Sequence, residues 1–561
     1  MNKFLINDIL RRISRWILFI GVLFAALWIW NQLFHGVVYD DAYIAFRYSD
    51  NWAAGHGLRW NPGEQPVEGF TSFLWVFIGA AIEYILNIPP HISMIFIGIA
   101  SWLILVGFVV PLIGKRIAPE QSGLSRKIQR VAIVVTVLIT PQVALGAFHG
   151  METTFFILIL ALVTLSAIKT EKSSMRISLI IASAAAFMTR PDAITFIIPL
   201  WIILFVLSDS TNRPACFRDF AIFALIIAVY TVIKWYWSGY PLPNTFYIKH
   251  SSGLPGGNYV STYLSVLLPL WFYLAFVSGK IGVRKLIGDR HFLLLVIPSL
   301  FYCFSYIFII PSMGHAFRFL IPTWPFILLG ALRADVLSNN EAKRSDASLL
   351  RTIPSFISAS ALFLLAITLS TLNSWRYMKH EYKSIVNYCD LTRSANVAGG
   401  KRLSRAALLT PAPVLATGDI GALAYFSKLK TVDLIGLADA KVAHFGLTHE
   451  YFSKSCPDII VLQDLFLRNC PDESKRGDVE LTIDGERRWL DSERYVFENP
   501  AHEHNGLGST YQVVTTQIFS ESYAHVGYLP IGSKKGYPVF IRRNYDHFTE
   551  LVLLLSQNGK L

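Results

Sequence analysis

Apolar runs of membrane-spanning length recur from Trp16 to Leu372, and no other feature limits the possible folds so strongly. A hydrocarbon core ~30 Å thick takes about 20 apolar residues in a helix to cross. Inside it every backbone polar group must be satisfied within the structure, which leaves helices or closed barrels. Barrel strands would show short alternating segments; these runs are long and continuous. Only 16% of the 561 residues are charged and 53% are hydrophobic, against about 25% charged in soluble domains. The chain reads as a polytopic α-helical membrane protein.

Charge placement sets the threading. The net charge of +12 resides mainly in short loops between apolar runs, an orientation signal rather than a nucleic-acid footprint. Lys3, Arg11, Arg12 and Arg15 precede the first run, Trp16–Phe34, and hold the N-terminus in the cytoplasm. That run lacks a small-residue cleavage site and reads as a retained helix. Lys115, Arg116, Arg126, Lys127 and Arg130 place the loop after Ile92–Ile113 inside as well. Parity then makes Thr71–Leu86 a half-segment that dips into the outer leaflet or lies on it. Continuing to Ser355–Leu372 gives about eleven spans plus that half-segment, with the C-terminus outside. The expected location is an inner (plasma) membrane, multi-pass.

Composition changes after Asn373: charges and turn residues rise and no spanning run follows. The expected division is a transmembrane part, 1–372, holding an outer loop at 37–70, and a water-soluble part, 373–561, of ordinary domain size. "PVLATGDIGALAYFSKLKTVDLIG" reads strand, Gly turn, short helix, strand; "DIIVLQD" and "GYPVFIRR" read as further strands, predicting an α/β domain. "GDIG" lacks dinucleotide-fingerprint spacing. The five cysteines form no CxxC pair, which argues against structural zinc. Cys456 and Cys470 fall in the outer part, where a disulfide is open.

The threading puts one set of polar residues on one face: Asp40, Asp41 and Arg47 after the first run; His149 and Glu152 in "FHGMETT"; Arg190 and Asp192 in "TRPD"; Asn244, Lys249 and His250 in "PLPNTFYIKH"; His315 and Arg318 in "GHAFRF". Ionisable groups near a membrane are expensive, about 2.5–3.5 kcal/mol each on insertion scales, and mark functional sites by default. A carboxylate can take a proton from an attacking hydroxyl. Arg, Lys and His can hold a phosphate as ground state and leaving group. No P-loop occurs, so a nucleotide donor is not indicated, whereas a lipid-borne phosphate would arrive from the bilayer. Each residue also has a plainer use. Asp40 and Asp41 suit a helix N-terminus, the aromatics an interfacial belt, and Arg190 with Asp192 an internal pair.

"DDAYIAFRY…GHGLRWNPGE…VEGFTSFLW" resembles the first outer loop of bacterial integral-membrane C-type (GT-C) glycosyltransferases, in particular those like the terminal β-arabinofuranosyltransferase. "GMETTFF", "TRPDAI", "PLPNTFYIKH", "RFLIPTWP" and "TGDIGALAYFSKLKTVDLIGLAD" are similar to further blocks of that set, in the same order. The resemblance spans Asp40 to Asp439. It implies a GT-C fold with a periplasmic C-terminal domain, a polyprenyl-phosphate sugar donor, a cell-envelope glycan or glycoprotein acceptor, and inversion at the anomeric carbon. It implies that Asp40 or Asp41 is the base, Asp40 being the usual position. Arg47, Glu152, Arg190, Asp192, Asn244, Lys249, His250, His315 and Arg318 are the expected substrate-binding residues. A divalent metal stays open, and arabinofuranose is a family-level expectation for the sugar. The rival readings are a transporter or lipid-linked sugar flippase, which would share polytopic helices and membrane-level charges, and an envelope scaffold.

Overall fold

The computed structural model describes residues 3–119, 123–169, 176–248, 255–309, 311, 313–344, 359–461, 479–483, 486–490, 522–531 and 535–556. Among these, five helical segments are long and apolar enough to cross a membrane: Ile17–Phe34, Pro90–Ile117, Arg213–Ser238, Arg290–Phe308 and His315–Glu341. Two more spans are broken, Ser125–Ile139 with Pro141–Phe148 at 51° and Gly257–Val266 with Leu268–Ile281 at 67°, which raises the number to seven. Proline explains both breaks. Pro141 and Pro269 stand in the first turn of the second member of each pair, where a missing N–H is tolerated and continuation of the preceding helix is not.

The other apolar runs form shorter helices, Phe73–Leu86, Thr153–Lys169, Ile177–Thr189 and Pro191–Val206. The stretch read as a half-segment forms the 14-residue helix Phe73–Leu86, about 21 Å long at 1.5 Å per residue. It stops at Asn87, whose left-handed backbone closes the last turn. Phe24, Trp28, Phe96, Phe108, Phe272 and Tyr236 face outward, the apolar exterior that a lipid surround requires. The final apolar run enters the 33-residue helix Ala359–Leu391, which continues without a break past the expected boundary at 372.

The chain divides into two compact units. The first comprises Met1–Gly36, Met94–Val229 and Ser251–Ser384. Its interior is apolar helix packing around Trp102, Ile157, Phe196 and Phe326. One buried ion pair there joins Arg126 to Asp335 at 2.5 Å, and Asp335 also accepts from Gln129 and Tyr273.

The second unit comprises Val37–Ser93, Tyr230–His250 and Ile385–Leu561. It contains β1 (Leu415–Thr417), β2 (Thr431–Asp433), β3 (Ile459–Val461), β4 (Val479–Ile483), β5 (Glu486–Leu490), β6 (Tyr523–Ile531) and β7 (Lys535–Arg542). β4 and β5 pair alone; the others form a sheet in the order β2-β1-β3-β7-β6. β1 runs parallel to β2 and β3, with Leu415 opposite Thr431 and Ile459, while β7 is antiparallel to β3 and β6. The segments read as strands thus form β1, β2, β3 and β7. Leu415, Leu423, Ile459, Val461, Val539 and Ile541 are buried on one another. The three-residue parallel strands are buried throughout, as strands covered on both faces are. Cys470 lies outside the described residues.

Candidate functional site

Each unit gathers one set of the polar residues singled out by the sequence. In the second unit, the Asp40–Ala53 helix begins on the two acids, where the helix dipole favours negative charge. Asp40 is buried. Its Oδ2 accepts from the Gly421 amide at 2.9 Å, and its Oδ1 accepts from the Ala422 amide at 3.0 Å and Asn396 Nδ2 at 3.1 Å. Those amides open the short helix Gly421–Ser427, so an acid of one segment caps a helix of a distant one. A Cβ on Gly421 would overlap the Asp40 carboxylate, which is why "GDIGAL" needs glycine there. Burial pushes the Asp40 carboxyl up to about 6 although the three hydrogen bonds work the other way. Asp41 is only half-buried.

Three neighbours escaped the sequence reading. Tyr388 accepts from the Asp40 amide at 3.3 Å. Asn396 bridges to Asp419, its Nδ2 lying 3.3 Å from Asp419 Oδ2. Asp419, in the quoted "TGDIGAL" block, is half-buried beside them. Nothing in one sequence reveals that position 396, in a helix, meets position 40. The quoted block did signal the region, though not its capping role.

Arg47, expected to bind substrate, staples this unit. It donates to the carbonyls of Trp60 (3.0 Å), Leu429 (2.7 Å) and Ala424 and to Asn61 Oδ1 (3.0 Å), and its guanidinium lies over the Trp60 ring at 4.5 Å. Asn244 is likewise internal. Its amide donates to the Glu68 carbonyl at 3.0 Å and its Nδ2 to the Gly436 carbonyl at 3.3 Å. Those two bonds tie "PLPNTF" to both "VEGF" and "DLIG". Lys249 and His250 lie outside the described residues. Asp433, which sequence reasoning passed over, accepts from the Ile435, Gly436 and Ala438 amides and is pushed up to about 7 by burial.

In the first unit, Glu152, Arg190 and Asp192 form a closed network. Arg190 Nη1 meets Glu152 at 2.9 Å, and its Nε and Nη2 hold Asp192 at 3.1 Å each. Tyr302 and Tyr306 both donate to Asp192, and Arg190 reaches Tyr306 at 2.8 Å. The guanidinium also lies against the Phe156 and Phe319 rings. These residues hold the "TRPD" break in place.

Arg318 is different. It is 7% exposed, and its Nε and Nη1 are buried with no hydrogen-bond partner. The guanidinium stacks over Phe319 at 4.6 Å. Leaving such donors unmet costs about 1–3 kcal/mol, more when charged, and a guanidinium with free donors could hold an anion. Met313, Ala316 and Phe317, just before it, all have φ between 54° and 59°, a left-handed conformation that such residues hold only under constraint. His149 accepts from the Met151 amide at 3.1 Å. Burial and then the Arg318 charge keep it well below the usual histidine range. His315 pairs with Glu381 at 3.5 Å.

Among the described residues no group of three or more His, Cys, Asp or Glu side chains could hold a metal ion.

A family model described as a domain of unknown function (DUF8728) matches residues 392–537. No curated protein matches the chain. The chain is similar to two crystal structures of ArnT from Cupriavidus metallidurans. The apo form is 14% identical, covering 81% of this chain and 93% of that one at a TM-score of 0.49. The form bound to undecaprenyl phosphate is 14% identical, covering 85% and 97% at 0.48.

Proposed function

We propose that this chain is an integral-membrane glycosyltransferase that moves a sugar from a polyprenyl-phosphate donor to a hydroxyl of a cell-envelope acceptor. The observation that carries the reading is the acid step at the head of the "DDAYIAFRY" block. Asp40 is fixed by three hydrogen bonds with its carboxyl raised to about 6, and half-buried Asp41 follows it. A base works best with a pKa near the operating pH, and its position must be held.

In the proposed step, one carboxylate of the pair accepts the acceptor hydroxyl's proton as that oxygen bonds to the anomeric carbon. The bond from that carbon to the phosphate oxygen breaks on the opposite side, giving inversion and free polyprenyl phosphate. Arg318 is the proposed anion ligand, because two of its buried guanidinium donors are unmet. Arg190 is committed to Glu152, Asp192 and Tyr306 and acts as a positioning residue. Membership of the GT-C enzymes, an inner-membrane location with the N-terminus cytoplasmic, and a periplasmic domain over 373–561 belong to the same proposal. They are supported by the motif blocks and the loop charges. Arabinofuranose is the sugar proposed, on the resemblance of the first loop.

The test is the full chain in proteoliposomes with defined polyprenyl-phosphate sugars and envelope glycans, assayed for polyprenyl phosphate release and glycan mass. Release coupled to a mass gain that Asp40→Asn with Asp41→Asn abolishes supports the reading. Lipid-linked sugar moved across the bilayer intact would replace it with a flippase.

A further inference from the structure

In the second unit, the end of the Asp40–Ala53 helix, the residues that follow it and the end of the Arg213–Ser238 helix line a half-open cavity of about 300 Å³, at the small end of the ~300–1,000 Å³ range of ligand sites. Leu58, Phe70 and Phe73 form one wall; Tyr230, Ile233 and Trp237 form the other. The charged groups in the lining are Glu68 and Lys234, and they are paired with each other at 3.0 Å, both largely buried.

That chemistry narrows the ligand. A sugar or nucleotide entering this space would lose water from many hydroxyls, and each buried polar group without a partner is penalised. The wall's two ions are paired with each other, and the remaining surface is aliphatic and aromatic. Burial of hydrocarbon is what such a wall rewards. The approach is apolar too. The Arg213–Ser238 helix is one of the five spans, and only 17% of its spanning window is buried. Val232, Ile233 and Tyr236 on it are all strongly exposed, Tyr236 at 93%. The cavity therefore adjoins a helix surface suited to lipid, with Ile233 belonging to both.

We infer that this cavity takes one hydrocarbon chain of a membrane lipid, entering sideways past Ile233. The inference does not depend on the proposed reaction. An acyl chain of a bilayer phospholipid and the isoprenoid chain of a polyprenyl phosphate share the required chemistry.

The experiment places the full chain in nanodiscs containing phosphatidylglycerol with a diazirine in one acyl chain, illuminates, and maps adducts by peptide mass spectrometry. Phe70 is the reporter, since it is 4% exposed and lines the cavity. Adducts at Phe70 should saturate and fall at least about five-fold when the cavity is filled by Ile233→Trp or, from the other wall, by Leu58→Trp. Adducts at outward-facing Val232 and Tyr236 should persist, and unchanged unfolding midpoints confirm that the variants fold. Displacement by unlabelled phosphatidylglycerol or by polyprenyl phosphate identifies the source. Adducts confined to Val232 and Tyr236, Phe70 adducts that survive both variants, or displacement by a free monosaccharide would overturn the inference.

Discussion

The carboxylate of Asp40 sits 2.9 Å from the backbone amide of Gly421, a residue 381 positions later, and no side chain larger than hydrogen fits between them. The first residue of one helix therefore acts as the cap of another. Gly421→Ala should displace Asp40. The expected cost is about 1–3 kcal/mol, the usual range for overpacking, together with loss of transfer activity like that of Asp40→Asn. Thermal unfolding and a transfer assay on the same preparation check both. Full activity in Gly421→Ala would detach this contact from function.

Stability should fall as pH rises through weak acid. Asp40 has a folded value of about 6 against 3.8 ordinarily, and burial raises Glu68 and Asp433 to about 7. Between the ordinary and raised values the folded state binds more protons than the unfolded chain, so stability declines with rising pH and levels off above about 7. Unfolding midpoints of Asp40→Asn from about pH 4 to 7 should show a shallower decline than wild type. If Asp40 is the base, activity should drop below about pH 6, and Asp41→Asn should leave that limb in place.

Arg318 should behave as a ligand residue rather than a structural one. Arg318→Met removes a buried guanidinium with unmet donors, so the fold should keep its stability or gain about 1–3 kcal/mol. Donor turnover should fall at least about 100-fold, the equivalent of a lost charged contact. Arg318→Lys should recover only part of it, because an ammonium lacks the fork geometry. Marked destabilisation of Arg318→Met would show that the group serves the fold instead.

Arg190 should do the reverse. Its removal leaves buried Glu152 and half-buried Asp192 without their cation, and breaking a buried pair from one side costs about 3–5 kcal/mol. Arg190→Met should therefore unfold readily, and adding Glu152→Gln and Asp192→Asn should restore part of the loss. Calorimetry of the three variants reads the difference directly.

Several elements were legible one residue at a time. "PVLAT", the Gly turn, "LAYFS" and "KTVD" follow local rules of burial period and turn chemistry, and they form β1, a short helix and β2 where those rules put them. Span number was less legible. Hydropathy counts apolar residues but not where a helix bends, and breaks at Pro141 and Pro269 turn two expected spans into bent pairs. Residue roles were least legible. Arg47, Arg190 and Arg318 look alike in the chain, yet one staples carbonyls, one is held by two carboxylates, and one has unmet donors.

The sequence by itself determined that the chain is built from membrane-length apolar helices and a further α/β segment, because hydropathy and period are properties of neighbouring residues. Only the tertiary structure decided which polar groups satisfy one another. Hydrogen bonds such as Asp40 to Gly421 or Arg190 to Glu152 join residues distant in the chain, and a buried charge acquires its role from the partners that folding brings to it.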